Sequence, residues 1–400
     1  MPSVIQPRLV TPSKLPASSS ATYLDVPEAA ERFLTGLAGV RTLAVDTEGA
    51  SYHRFVDRIY LLQLSTANEH AIIDPLRVTG LGTLGRMLED PAVEVVFHDA
   101  DYDLRLLHQD YGWRVTNIFD TRVAAQLLGV KAFGLAALLD EHFGVKLDKK
   151  HQRADWSMRP LSADMLDYAA QDTRHLLGLS QRLRQALESK QRWHWAQEEF
   201  ERLEGTRWEP EDASTAWMRV KGARDLTRRE LARLRELVPW RDEVARGLDR
   251  STFRVISNEV LLEVARRDPT RPAELAAIKG MNPRLADARG REVIDALARA
   301  NAVPEGELPK FPRAPRWDKD PEFDDKVGRL KQVRDAAAHR LELDPGVLCS
   351  RERMEAVVRR APVHVRDLEE LPELRRWQLE VLGEEFVRVL RGGSSPYRDA

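Results

Sequence analysis

Cysteine is almost missing from this sequence, with Cys349 the single thiol among 400 residues. One thiol makes neither an internal disulfide nor a Cys-rich zinc site, so a reducing compartment, the cytoplasm, is expected. Long apolar runs are missing as well. No window approaches about 18 consecutive apolar residues, and the opening MPSVIQPRLVTPSKLPASSS lacks a continuous apolar core, so neither a membrane span nor a secretory signal is expected. No charge sign dominates: 62 Lys plus Arg against 64 Asp plus Glu leave a net charge of −2, and partners must be read from local charge. There is no GxxxxGK[ST] phosphate loop, no GxSxG elbow and no GxGxxG after a strand, which leaves ATPase, serine hydrolase and dinucleotide readings without support.

What is present is a globular mix, 42% apolar and 32% charged, long enough for two or three domains. Short runs rich in Val, Ile, Leu and Thr at 42–47, 59–66, 70–74 and 93–97 predict strands of one sheet. Helical patterns follow at 101–111, 122–128 and 135–143, with a long one over 163–187, so an α/β domain is expected over 22–204 behind a flexible arm at 1–21. After Glu204 the texture becomes Arg- and Leu-rich helix without a convincing strand. Pro304, Pro309, Pro312, Pro315 and Pro321 punctuate a linker at 301–321. Sliding the last third of the chain against the middle third exposes a repeat offset by 93 residues. Arg241/Arg334, Asp242/Asp335, Ser257/Ser350, Val264/Val357 and Pro269/Pro362 are among its identical pairs. Two copies of one small helical domain, 211–300 and 322–393, are therefore expected. The first copy is basic, with 19 Lys plus Arg against 15 Asp plus Glu over 211–300, a weak footprint for phosphate contact. Trp193, Trp195, Trp208 and Trp217 read as packing between domains.

Three acidic clusters carry the chemistry. Asp46 and Glu48 end the first predicted strand two residues apart, so both project to one face of the sheet. Asp99, Asp101 and Asp103 follow the strand at 93–97 and open a helix, where an acid is often only a cap for exposed N–H groups. Tyr168 and Asp172 stand one helical turn apart on one face. Taken together, these segments offer four carboxylates and a phenol, the set a two-metal phosphodiester site requires, because hard divalent cations prefer oxygen ligands.

These residues resemble the ribonuclease D family of DEDD-type 3′→5′ exonucleases with a tyrosine in the third motif. The first motif is Asp46-Thr47-Glu48, the second runs from His98 to Leu104 with Asp103 in the ligand position, and the third is Tyr168-x-x-x-Asp172. Flanks agree at Ile72-Ile73-Asp74-Pro75-Leu76, Phe119-Asp120-Thr121 and Arg159-Pro160-Leu161, whereas EGASYHRF, starting at Glu48, follows no pattern of the family. The two helical repeats resemble HRDC domains through Trp240-Arg241-Asp242, Ile256 to Leu261 and, more divergently, Val333-Arg334-Asp335. The resemblance implies a ribonuclease H-like α/β domain with a mixed sheet and flanking helices, followed by two small all-α domains.

It also implies two ions, Mg²⁺ or Mn²⁺: Asp46 bridging both, Glu48 and Asp172 completing the first, Asp103 holding the second, and Tyr168 positioning the attacking water. The implied substrate is RNA with a single-stranded 3′ end, such as a tRNA precursor, cut to nucleoside 5′-monophosphates by a monomeric enzyme. DNA as substrate, or an inactive nucleic-acid-binding scaffold, are the alternatives. His98 reads either as a buried histidine satisfied by backbone or as a support for a metal ligand, and Asp120 as a helix cap. Lys149, Lys150 and Arg153 read either as phosphate contacts or as a solvated loop. The catalytic region, 22–204, is expected to act alone on short oligonucleotides.

Overall fold

The computed structural model describes residues 21–148, 150–312 and 320–392. Nearly all of the expected arm, Lys149 and the middle of the expected linker lie outside the described residues. Six strands form one mixed sheet: β1 (Thr22–Leu24), β2 (Thr42–Glu48), β3 (Leu61–Ser65), β4 (His70–Ile73), β5 (Glu94–Phe97) and β6 (Ile118–Asp120), in the order β1-β4-β3-β2-β5-β6. β2 runs antiparallel to β3 and parallel to β5. Two strands escape the sequence pattern, β1 and β6. Each spans three residues, too few for periodicity to declare itself.

Alternation along β2 assigns its two faces. Leu43 and Val45 pack with α1 (Pro27–Gly36), α2 (Gly82–Leu88) and α3 (Asp101–Tyr111) in one core. Ala44, on the other face, joins α4 (Thr121–Leu127), α5 (Leu135–Phe143), α7 (Leu176–Ser189) and α8 (Trp193–Leu203), while α6 (Ala163–Arg174) crosses β3 and β4. The long helix expected over 163–187 is thus two, broken at His175, where ψ turns to −3°. Asp46 and Glu48 share the face of Ala44, beyond the last residue that β2 pairs with β5.

The helical region comprises α9 (Arg228–Leu248), α10 (Thr252–Val255), α11 (Asn258–Arg267), α12 (Pro272–Ala276) and α13 (Pro283–Asn301), then α14 (Phe323–Leu341), α15 (Pro345–Leu348), α16 (Arg351–Arg360), α17 (Arg366–Glu369) and α18 (Arg376–Leu390). Helix starts at 252 and 345, 258 and 351, and 283 and 376 keep the offset read from the sequence. So do the Ser257 and Ser350 caps, and the left-handed residues Asp249/Glu342 and Asp268/Ala361 that end corresponding helices.

The two copies attach differently. The second shares one apolar core with the α/β region. Trp195 of α8 stacks on Trp377 of α18 at 4.8 Å and 23°, and the Trp377 indole donates to Glu199 at 2.9 Å. The first copy is held by the segment after Glu48. Ser251 donates through its backbone N–H to the His53 carbonyl and through its hydroxyl to the Tyr52 carbonyl at 2.8 Å. Phe55 reaches the edge of this copy's core beneath Arg246. Truncation after Glu204, expected from the sequence to leave chemistry on short oligonucleotides, would strip the cover from Trp195. Of the four tryptophans expected between domains, only Trp195 is so placed. Trp193 lies beside Phe119, Trp217 packs on Phe311, and Trp208 is exposed.

Trp377 is fully enclosed, so Trp377→Ala is expected to destabilise the chain by roughly 3–5 kcal/mol, read from urea unfolding. A cost below about 1 kcal/mol would show that the shared core does not hold the two regions together.

Candidate active site

Each acidic side chain reaches the cleft by a different local device. Asp46 and Glu48 come from alternate positions of β2, and Asp172 comes from the sheet-facing side of α6. α6 starts under a Ser162 cap and is tied down where Thr173 and Ser65 hydroxyls meet at 2.7 Å. One carboxylate oxygen from each of Asp46, Glu48 and Asp172 lies within 4.8 Å of the others. Gly49 lets the chain leave Glu48 closely against α3: a β-carbon there would sit 2.1 Å from the Tyr102 hydroxyl, which donates to Asp57 at 2.7 Å.

The second cluster sorts itself by position around the start of α3. Asp99 and Asp101 are exposed and paired with Arg122 and Arg105. Asp103 is buried and accepts hydrogen bonds from the Thr47 backbone N–H at 3.0 Å and the Thr47 hydroxyl at 2.6 Å. Past the end of β5, the strand thus finds its hydrogen-bond acceptor in a side chain from another helix. Thr47, between the two acids of the first motif, was not singled out from sequence. Its alternation to the opposite face was the available signal.

Asp120 accepts four backbone N–H groups, from Asp99, Ala100, Arg122 and Val123, and so caps α4 while fixing the approach to α3. His98 bonds the Thr121 hydroxyl at 2.9 Å through Nδ1, and burial pushes its pKa down to about 4, leaving it neutral at pH 7. Of the basic residues considered for phosphates, Lys150 pairs with Asp164 at 3.1 Å and Arg153 is exposed. Asp74 holds Arg159 at 2.6 and 2.8 Å and accepts from Tyr23, pinning the segment that carries Trp156 beneath Tyr168.

The electrostatics follow from crowding. Burial is the main cause, joined by mutual repulsion, that raises Asp46 and Glu48 well above the usual carboxylate range. Burial likewise pushes Asp103 and Asp172 up to about 7. Burial, then Asp172, Glu48 and Asp46, raise the Tyr168 phenol, which keeps its proton. Such a set lacks only positive charge, and converging, desolvated carboxylate oxygens match what a divalent oxygen-seeking cation needs. The donor set therefore fits a metal site.

Between about pH 4, where unfolded carboxylates ionise, and about pH 7, the folded chain retains protons that the unfolded chain has lost. The metal-free protein is thus expected to lose stability as pH rises through that window, with the penalty complete above it. Thermal unfolding in chelator should show this fall, Asp46→Asn should shrink it, and added Mg²⁺ should oppose it. A wild-type profile flat across the window would contradict the crowding.

The sequence profile of a 3′-5′ exonuclease family matches residues 22–188, and that of the HRDC domain matches 230–297 and 325–390. Ribonuclease D of Granulibacter bethesdensis is 32% identical over 353 residues, spanning 88% of this chain and 87% of its own length. A solved protein from Bifidobacterium adolescentis superposes with a TM-score of 0.82 at 25% identity, over 96% of this chain and all of that one. RNase D of Escherichia coli, described as an exoribonuclease involved in structured RNA processing, shares the fold with a TM-score of 0.72 at 24% identity, over 94% of this chain and 99% of its own.

Proposed function

The chain belongs to the ribonuclease D family, and from that premise we propose that it trims single-stranded 3′ ends of structured RNA, tRNA precursors among them, releasing nucleoside 5′-monophosphates. It is a 3′→5′ exoribonuclease. The observation that carries the finer reading is the convergence of Asp46, Glu48 and Asp172, with Asp103 clasped beside them and Tyr168 one turn from Asp172.

In this reading Asp46, Glu48 and Asp172 would hold one divalent cation, and Asp46 and Asp103 would hold a second. Mg²⁺ or Mn²⁺ bound there supplies charge that stabilises the attacking and leaving oxygens. Thr47 keeps Asp103 from rotating, because both of its donors grip one carboxylate oxygen. Tyr168, protonated at working pH, donates a hydrogen bond to the attacking water and sets its line of approach. Glu48, at the end of β2, would accept the 2′-hydroxyl of the terminal ribose and so favour RNA over DNA. The divisions 22–204, 211–300 and 322–393, a monomeric state and a cytoplasmic setting complete the proposal. Among the described residues no helix is long and apolar enough to cross a membrane.

The reading is tested by incubating the full chain with labelled single-stranded RNA and Mg²⁺ or Mn²⁺, where mononucleotides should be released from the 3′ end. Products longer than one nucleotide would overturn it. Asp103→Asn should abolish turnover with the fold kept, whereas near-normal activity would move the ligand role to Asp99 or Asp101. Tyr168→Phe should slow turnover on the order of 10- to 1,000-fold with metal affinity unchanged by calorimetry; weakened metal binding would refute the water-positioning role. Matched RNA and DNA oligonucleotides, each with a 3′ overhang beside a hairpin, should lose the RNA overhang faster and stall at the duplex. Faster loss of the DNA overhang would favour a DNA exonuclease.

A further inference from the structure

The segment after Glu48, which follows no pattern of the family, is where the first helical copy meets the catalytic region. It leaves two aromatic rings in solvent. Tyr52 is 50% exposed and Phe253, on α10, 46% exposed, yet they contact each other across the junction at 5.1 Å between ring centres. Val56 and Met158, 53% and 56% exposed, belong to the segments meeting there. Large apolar side chains concentrated at one exposed junction mark a binding surface more often than a packing defect.

Position identifies the occupant. Tyr52 lies four residues beyond Glu48, so its backbone is within about 14 Å of the carboxylate cluster. Arg54 donates to Ser157 at 2.6 Å, next to Trp156, whose ring is 6.1 Å from that of Tyr168. The patch therefore borders the cleft from two directions. Its charges suit a polyanion. The acids Asp155 and Asp249 both pair with Arg54, at 3.5 and 3.2 Å, while the Arg254 guanidinium meets the His53 ring at Nδ1 at 2.9 Å, the same nitrogen that Asp155 approaches to 3.8 Å, and Arg153 and Arg250 are exposed on the two flanks.

We propose that Tyr52 and Phe253 form a composite platform on which bases of single-stranded RNA stack a few nucleotides upstream of the 3′ end, with Arg153, Arg250 and Arg254 facing the phosphates. Aromatic faces accept any base, so the platform grips the strand without reading its sequence. Neither domain supplies it alone, because one ring comes from the catalytic region and the other from the first helical copy. The inference rests on RNA being the substrate.

The test uses the full chain with Mg²⁺ and a single-stranded RNA of about eight nucleotides whose last linkage is a non-hydrolysable methylphosphonate. Tyr52→Ala and Phe253→Ala should each raise Kd by about 5- to 100-fold, and Tyr52→Trp should restore it. With cleavable RNA, the wild-type advantage in KM of the longer strand over a dinucleotide should collapse in the double variant. Unfolding curves matched to wild type confirm that the fold is kept, and Phe253→Ala, on an exposed short helix, serves if Tyr52→Ala misfolds. Unchanged Kd in Phe253→Ala and in the double variant would overturn the proposal and leave the patch to a protein partner. Mononucleotide release by the unmodified chain is scored in parallel: release with unaltered variant binding sinks the platform alone, whereas tight, ring-dependent binding without release sinks the exonuclease reading alone.

Discussion

Four carboxylates in one desolvated cleft repel one another, and much of the surrounding structure reads as restraint against that repulsion. Thr47 grips Asp103 with two donors, Ser65 and Thr173 lock α6 to the sheet, and Asp120 gathers four N–H groups at the approach to α3. The first joins the strand of Asp46 and Glu48 to the helix of Asp103, and the other two hold α6 and the start of α3 to neighbouring strands. In the metal-free protein burial, with the mutual repulsion added to it, appears as raised proton affinity at Asp46 and Glu48.

The sequence made the acids legible because each sits at a position with a rule: alternation on a strand, one turn on a helix. Spacing alone left open which of Asp99, Asp101 and Asp103 faces the cleft, since all three lie at a helix start where any acid is plausible as a cap, and only the family motif singled out Asp103. The answer depends on where α3 lies against β2, a tertiary fact. Thr47 escaped for a related reason. Its donors are useful only because β5 stops short and leaves the edge of β2 to a side chain. Strands of three residues and the break at His175 were below the resolution of periodicity, whereas the repeat, carried by many weak matches, fixed corresponding helix starts to the residue.

The repeat itself shows how little of docking is written in a domain's internal pattern. Arg241 and Arg334 occupy equivalent sites and both pair with the aspartate that follows, yet one reaches the Asn258 side chain and the other the Cys349 carbonyl. The copies keep a common scaffold and spend their differences on the surface. One surface merges into an aromatic core around Trp377, and the other meets a loop beside the cleft.

That loop is gripped through both its backbone and its side chains. Ser251 takes the carbonyls of Tyr52 and His53, and Asp249 takes the N–H of Phe55, so these contacts ask only that the chain follow the same path. Tyr52 also turns its ring onto Phe253 at 5.1 Å, so the aromatic side chain exposed beside the cleft is one that meets the helical copy. A change of residue at 52 therefore alters, in one step, the surface presented beside the cleft and the contact with the first helical copy, so that architecture and the rim of the cleft are coupled through a single ring.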